Sequence, residues 1–184
     1  RKTKDIGWII DHRDLMTIFL DEIRNSSTIF SFFESTSTSN SFYDYVIAAD
    51  GFNSATRKQI NIRQLSFNYN QACITSKVLI RGIEPNMAFE ILRKDGPMGI
   101  LPLGDGAFQI VLSNSLRASR QIVELSTSMF LDYLSTLLPQ GMEPDCLIDK
   151  PLLFPIHFSI ANRLFKSNYI LIGESSHSLH PVGG

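Results

Sequence analysis

The chain is 184 residues long, with 43% hydrophobic and 19% charged residues, a balance that excludes a disordered segment and suits a folded domain with a sizeable core. Seventeen basic residues against eighteen acidic ones leave a net charge of -1, so no strong field points to nucleic acid, and no apolar run reaches the roughly 18 residues of a spanning helix. Cys73 and Cys146 are too few for a disulfide framework and lack metal-ligand spacing, which makes a reducing, cytoplasmic setting the default expectation.

Arg1 opens the chain without an initiator Met, and the basic stretch Arg1-Lys2-Thr3-Lys4 has no apolar region behind it, so it does not read as a secretory signal. Residues 6–10 form a short strand-like run. Asp14 is then a candidate cap for a helix with Leu15, Ile18, Phe19, Leu20 and Ile23 at helical spacing. Residues 26–41 are a Ser/Thr-rich connection holding Phe30, Phe32 and Phe33. Residues 43–49 are a compact apolar strand ending in Asp50-Gly51, with Asn53 or Ser54 as the cap of a short helix through Arg57.

The middle changes character. Residues 72–81, 88–94, 98–103 and 107–113 are strand-like, separated by Asp95-Gly96-Pro97 and Gly104-Asp105-Gly106, which predicts an antiparallel meander. Residues 122–138 predict one helix with Ile122, Leu125, Met129, Tyr133 and Leu137 on its face, ended by Pro139 and Gly141. Residues 147–158 predict an edge or bent strand because Pro151 and Pro155 interrupt it. A last strand, 169–172, runs into Gly173. The expected fold class is mixed α/β: a nucleotide-binding part with an antiparallel-sheet domain inserted into it. Gly183-Gly184 at the end normally leads into a helix, so the chain reads as a fragment cut at both ends.

Two strings carry candidate chemistry. In the first, a strand delivers Asp50 and Gly51 at its carboxyl end, where α/β sheets bind ligands. The helix start after Ser54 offers free N–H groups to phosphate or hydroxyl oxygens, and Arg57 adds a cation one turn on. In the second, residues 169–184, a strand ends in Gly173-Glu174, followed by small residues, Pro181, Gly183 and Gly184. Small residues there allow backbone to approach a flat ligand closely. Either string read alone is also an ordinary strand, turn and capped loop.

Two sharper alternatives attach to the second string. Glu174, His177 and His180 recur at three-residue spacing, but one loop beside Pro181 is a poor ligand frame, and no metal site is expected. Gly173-Glu174-Ser175 is close to the serine-hydrolase elbow G-x-S-x-G, with Ser175 as nucleophile, yet His177 stands where the second Gly belongs.

Taken together, the strings resemble the FAD-dependent aromatic hydroxylases of the para-hydroxybenzoate hydroxylase type (class A flavin monooxygenases), and within them the polyprenyl-phenol hydroxylases of ubiquinone biosynthesis. Residues 50–57, Asp-Gly-Phe-Asn-Ser-Ala-Thr-Arg, match the family's DG motif near the flavin; residues 173–184 match its GD motif, which holds the ribityl chain and ring. Residues 10–15 match the segment leading into the helix beside the cofactor, with Arg13 at a position usually basic. Residues 89–103 resemble the substrate-domain strands of the ubiquinone branch, and 155–163 the strand and turn returning to the flavin domain.

The resemblance implies an incomplete FAD-binding three-layer domain in residues 1–66, an antiparallel substrate domain in 67–158, and a return to the FAD domain in 159–184. It implies FAD as cofactor, NAD(P)H and O2 as co-substrates, and a phenolic substrate whose ring is hydroxylated. Arg13, Asp50, Gly51, Ser54, Arg57, Gly173, Glu174, Pro181, Gly183 and Gly184 would contact the cofactor, and the strands around 89–111 would wall the substrate. No catalytic side chain is assigned, because the cofactor carries the hard chemistry. His177 and His180 could assist phenol deprotonation, or simply pack in their loop. A polyprenylated phenol would imply peripheral membrane contact, although no amphipathic basic helix stands out.

Three departures qualify the match. Glu174 replaces the usual Asp. The stretch from the helix at 15–23 to Asp50 is short, as though a hairpin were missing. The G-x-G-x-x-G that grips the ADP pyrophosphate would lie before Arg1. A catalytically inactive, truncated binding module is therefore the alternative from a different class.

Overall fold

The computed structural model describes residues 7–33 and 43–181. Residues 7–10 are irregular rather than a strand, and Trp8 and Ile10 stay exposed with no strand beside them among the described residues; Ile6 lies outside those residues. Helix α1 (His12–Asn25) is capped by Asp11, whose carboxylate accepts from the Arg13 N–H at 2.9 Å, and not by Asp14, which sits in the first turn where its charge suits the helix N-terminus. No residue of α1 is fully buried, so its apolar stripe is only half covered. Of the expected connection at 26–41, residues 34–41 lie outside the described region, while Phe30, Phe32 and Phe33 are exposed.

β1 (Val46–Ala48) and α2 (Ala55–Gln59) follow, the helix capped by Ser54 rather than Asn53. β2 (Gln64–Arg81) is eighteen residues long and begins well before the expected strand at 72. β3 (Phe89–Ile91), β4 (Met98–Gly104) and β5 (Ala107–Ser115) form the meander, each antiparallel to the next, and β5 closes it against β2.

The expected single helix is two: α3 (Leu116–Val123) and α4 (Thr127–Ser135). Ser126 restarts the chain, its Oγ accepting from the Met129 N–H at 3.3 Å. A restart resets the helical phase. Phe130, Leu134 and Leu138 are buried at four-residue spacing, whereas the expected Met129 is 56% exposed.

β6 (Glu143–Leu147) and β7 (Leu152–Ala161) replace the expected strand at 147–158, separated by a turn ending at Pro151. Pro155 remains inside β7, opposite Ala72 at a register shift between Asn68 and Ala72. Asn70 has φ +55° within that shift, a left-handed conformation Asn tolerates, so the ladder is already interrupted where proline lacks a donor. β8 (Phe165–Lys166), β9 (Tyr169–Leu171), a 3-10 turn (Gly173–Ser175) and β10 (His177–Ser178) complete the described chain.

Among the described residues the strands make two sheets. One is β1-β9-β8, with β1 and β9 parallel; the other runs β10-β7-β2-β5-β4-β3, with β6 also on β2. Alternation along β2, β4 and β5 sends Ile74, Val78, Met98, Ile100, Ile110 and Leu112 to one face, which packs on Ile122, Phe130 and Leu134 of the helices. Met98 and Ile100 are 0% exposed, so these positions of the strands expected to wall the substrate are core, whereas Leu101 faces the other way. That second face is left for the site.

Candidate functional site

Parallel pairing of β1 with β9, in register Val46↔Tyr169 to Ala48↔Leu171, sets their carboxyl ends side by side. The loop at Asp50-Gly51 and the loop at Gly173-Glu174 thus meet, although more than a hundred residues of chain separate them. The Ile172 N–H extends the ladder by one bond to the Ala48 carbonyl, 3.0 Å away. Adjacent strand ends of a parallel pair are where α/β folds open a ligand crevice.

In the first loop Gly51 has φ +77°, which favours glycine, and the Ser54 N–H closes the turn on the Gly51 carbonyl at 3.0 Å. Ser54 Oγ accepts from the Arg57 N–H at 2.9 Å, and Asp50 Oδ2 accepts from the Thr56 N–H at 3.0 Å. Burial works to raise the Asp50 pKa, but hydrogen bonds from Ser54, Thr56 and its own backbone together hold it below the usual carboxylate value. Asp50 is therefore an ionised acceptor that organises the first loop.

Arg57 differs from the expectation of a free cation. It is 3% exposed, and its guanidinium donates to the Phe52 carbonyl at 2.7 Å and to the Ser175 carbonyl at 2.8 Å. The side chain clamps the two loops to each other and does not offer its charge to a phosphate.

In the second loop Gly173 has φ +57° and starts the 3-10 turn. Ser175 is wholly buried. Its Oγ lies 2.7 Å from the carbonyls of Ala48 and Ile172 and accepts from the Ile172 N–H at 3.1 Å. A hydroxyl so saturated is a staple between β1 and β9, and the nucleophile reading is corrected accordingly. Glu174 is exposed and lines the crevice. His177 Nδ1 pairs with Ser176 Oγ at 2.9 Å and His180 Nε2 with Gln71 Oε1 at 3.1 Å, so these groups diverge; among the described residues no set of three metal-ligating side chains converges.

The crevice itself is a cleft of about 520 Å³ between the free sheet face and the two loops. Cys73 and Thr75 of β2, Val111 of β5 and Phe154 of β7 make its floor; Phe52, Glu174, Leu179 and Pro181 make its rim. Val111 and Pro181 also border a second hollow of about 320 Å³ that runs over Gly99, Leu101 and Ser113 toward Phe89 and Glu90. Burial pushes the Cys73 thiol up in pKa, against a hydrogen bond with Ser113, so the floor is uncharged. His157 of β7 also lines the cleft, its ring stacked on Phe52 with centroids 4.9 Å apart. Nothing in the sequence around His157 marks it as a site residue; the fold makes it one, by setting β7 beside β2 and the Phe52 loop over its ring.

Arg13 is not gathered to this cleft. It pairs with Asp149 at 3.1 Å and lines a separate hollow with Asp11 and Lys77. There the Lys77 hydrogen bond, with help from the Arg13 N–H, holds Asp11 below the ordinary carboxylate range, and Lys77 is raised in return. Gly183 and Gly184 lie outside the described residues.

The fold recurs in solved structures described as flavin-dependent enzymes. The chain superimposes on PqsL from Pseudomonas aeruginosa, described as a probable FAD-dependent monooxygenase, with a TM-score of 0.68 over 92% of this chain and 53% of that one, at 16% identity. In sequence it is homologous to the ubiquinone biosynthesis monooxygenase COQ6: it is 25% identical to the human protein over 173 residues, 76% of this chain and 37% of that protein. An uncharacterized Synechocystis protein, slr1300, is 30% identical over 139 residues, 76% of this chain and 34% of that protein. The chain spans about a third of the length of these curated relatives. No family model matches it.

Proposed function

We propose that the protein carrying this chain is an FAD-dependent monooxygenase that hydroxylates a phenolic ring, with NAD(P)H as reductant and O2 as oxygen source. The observation that carries the reading is the apolar cleft held between the two strand-end loops, in a chain homologous to COQ6. In this reading residues 67–158 form the substrate domain, while 1–66 and 159–184 belong to the FAD-binding one.

The residues present fit one end of the cofactor. The cleft, at about 520 Å³, has the volume for a flat ring system, Gly51 would meet nothing within 4 Å if it bore a Cβ, and the exposed Glu174 carboxylate on the rim is an acceptor for hydroxyl groups. Gly51, Gly173, Glu174 and Pro181 would hold the ring and its adjoining chain; Ser54, expected among these contacts, is instead wholly buried, with its hydroxyl given to Asp50 and to the cap of α2. The pyrophosphate end does not fit, since Arg57 is engaged with carbonyls and Arg13 with Asp149, and it must be held by other residues. A bound flavin would supply the redox chemistry, drawing electrons from NAD(P)H and delivering one atom of O2 to the ring. The protein's own contribution is to seat the phenol on the face of Thr75, Val111 and Phe154 and to keep water from it with Phe52, Leu179 and Pro181.

Among the described residues no helix is long and apolar enough to cross a membrane. A polyprenylated phenol would bring the protein to a membrane surface through its substrate. COQ6 is described as mitochondrial; free Cys73 and Cys146 suit a reducing compartment, for which we propose the cytoplasm.

The test is the visible spectrum of the purified full-length protein with FAD, before and after NAD(P)H without oxygen. A bound oxidised-flavin spectrum that bleaches on reduction and returns with O2, with a phenol converted, is expected. A protein that takes up no flavin, yet still binds phenols, would replace this reading with that of a binding module, which the engaged Arg57 favours.

A further inference from the structure

We propose that His157 is the group that takes the phenolic proton from a substrate seated in the cleft. This deepens the hydroxylase reading and rests on that cleft holding a phenol. His157 of β7 stands directly across from Asn68 of β2, the last pair before the register shift. Its Nδ1 is hydrogen-bonded to Asn68 Oδ1. With that oxygen as acceptor, Nδ1 carries the ring proton and Nε2 keeps its lone pair. Nε2 has no hydrogen-bond partner among the described residues. The stack on Phe52, with planes 21° apart, sets the ring orientation from the other side, and the half-buried imidazole forms part of the cleft wall.

The arrangement has three parts from three places in the sequence. A strand positions the imidazole, a neighbouring strand selects its tautomer, and the Asp50-Gly51 loop holds its plane. This is the orienting logic of a general base. The other titratable groups on the cleft are Cys73 from β2 and Glu174 from the 3-10 turn. The Cys73 thiol is buried in the floor and protonated, and a carboxylate is poorly matched to accepting a proton near neutrality, whereas an imidazole is well matched. His177 and His180 are each engaged by a neighbour, Ser176 and Gln71 respectively.

The step balances without a further reactant. The phenol O–H bond breaks as an Nε2–H bond forms, leaving a phenolate beside an imidazolium. The phenolate ring is richer in electrons, which is the state an electrophilic oxygen donor attacks. After ring hydroxylation the proton returns from Nε2 to the product oxygen.

Ionisation of a bound phenol can be seen without turnover, using 4-nitrophenol, whose phenolate is yellow. With the full-length protein, bound 4-nitrophenol is expected to ionise about one pH unit lower than free, a tenfold change in its ionisation constant. His157→Gln is expected to bind the probe within about threefold but abolish that displacement. Asn68→Leu, which frees Nδ1, is expected to reduce it while His157 remains. A displacement unchanged in His157→Gln would overturn the proposal and leave the cleft reading standing. Failure of the unmodified protein to bind the probe would overturn the cleft reading, and this inference with it.

Discussion

Arg57 and Ser175 lie 118 positions apart, yet the Arg57 guanidinium donates to the Ser175 carbonyl at 2.8 Å inside the protein. A second bond runs from the same group to the Phe52 carbonyl at 2.7 Å, so one side chain ties both loops of the site. Bonds from a charged donor to buried carbonyls are among the stronger single contributions to stability, and Arg57→Met would leave both carbonyls unpaired. The expected loss is about 3 kcal/mol, read as a lower denaturant midpoint with an unchanged slope. Arg57→Lys should recover only part of it, because a single ammonium cannot reproduce the planar fork. A full recovery by Lys would show that charge alone matters there.

Asp50 ties stability to acid. Its ordinary value is 3.8, and in the folded chain it lies lower. As pH falls the unfolded chain therefore binds its proton first, so the stability contributed by Asp50 is present above 3.8 and lost as pH drops through the folded value. Urea midpoints measured downward from pH 6 should fall more steeply for the native protein than for Asp50→Asn. Parallel curves would mean that the bonds from Ser54 and Thr56 do not distinguish the charged form.

Much of this site is legible in the sequence because strand-end loops announce themselves locally. Asp50-Gly51 and Gly173-Glu174 each follow a short apolar run, and the structure joins them through one parallel pair. What was not legible depends on distant partners. Nothing local to Arg57 says that its guanidinium will meet two carbonyls, and a sequence reading naturally aims a cation at a phosphate. His157 likewise acquires its partners Asn68 and Phe52 only through the fold. The helix break at Ser126 has a different cause: apolar spacing runs unbroken across Ser126-Thr127-Ser128, while the cap that Ser126 provides restarts the helix there.

That break can be tested. Ser126 Oγ caps α4, and Ser126→Ala is expected to cost about 1 kcal/mol. A single continuous helix through residues 122–135 would instead gain from the same change, since Ala is the better helix interior residue. The sign of the shift in thermal midpoint decides between them.

Ser175 is expected to be inert as well as buried. A fluorophosphonate probe should leave it unlabelled, because its Oγ is buried and held between the carbonyls of Ala48 and Ile172. Ser175→Ala should lower stability by about 1–2 kcal/mol through the unpaired groups it leaves, measured by chemical denaturation. Stoichiometric labelling would restore the hydrolase reading.

Gly82 decides how the far end of the large sheet closes. It follows β2 with φ +75°, and a Cβ added there would stand 1.8 Å from the Gly141 carbonyl oxygen, a backbone atom that cannot swing away. Two penalties then act together: the left-handed conformation costs an L-residue about 1–2 kcal/mol, and the overlap forces the turns before β3 and before β6 apart. Gly82→Ala is therefore expected to destabilise by about 3 kcal/mol or more. The damage should be felt in the helix-packed core through β6, whose Leu147 packs against it, and less in the cleft. Chemical denaturation gives the magnitude, and 4-nitrophenol binding by the folded fraction gives the location. A mild loss would mean that the Gly141 turn yields, and that the close approach of the two turns is incidental to the packing of α4 against β6.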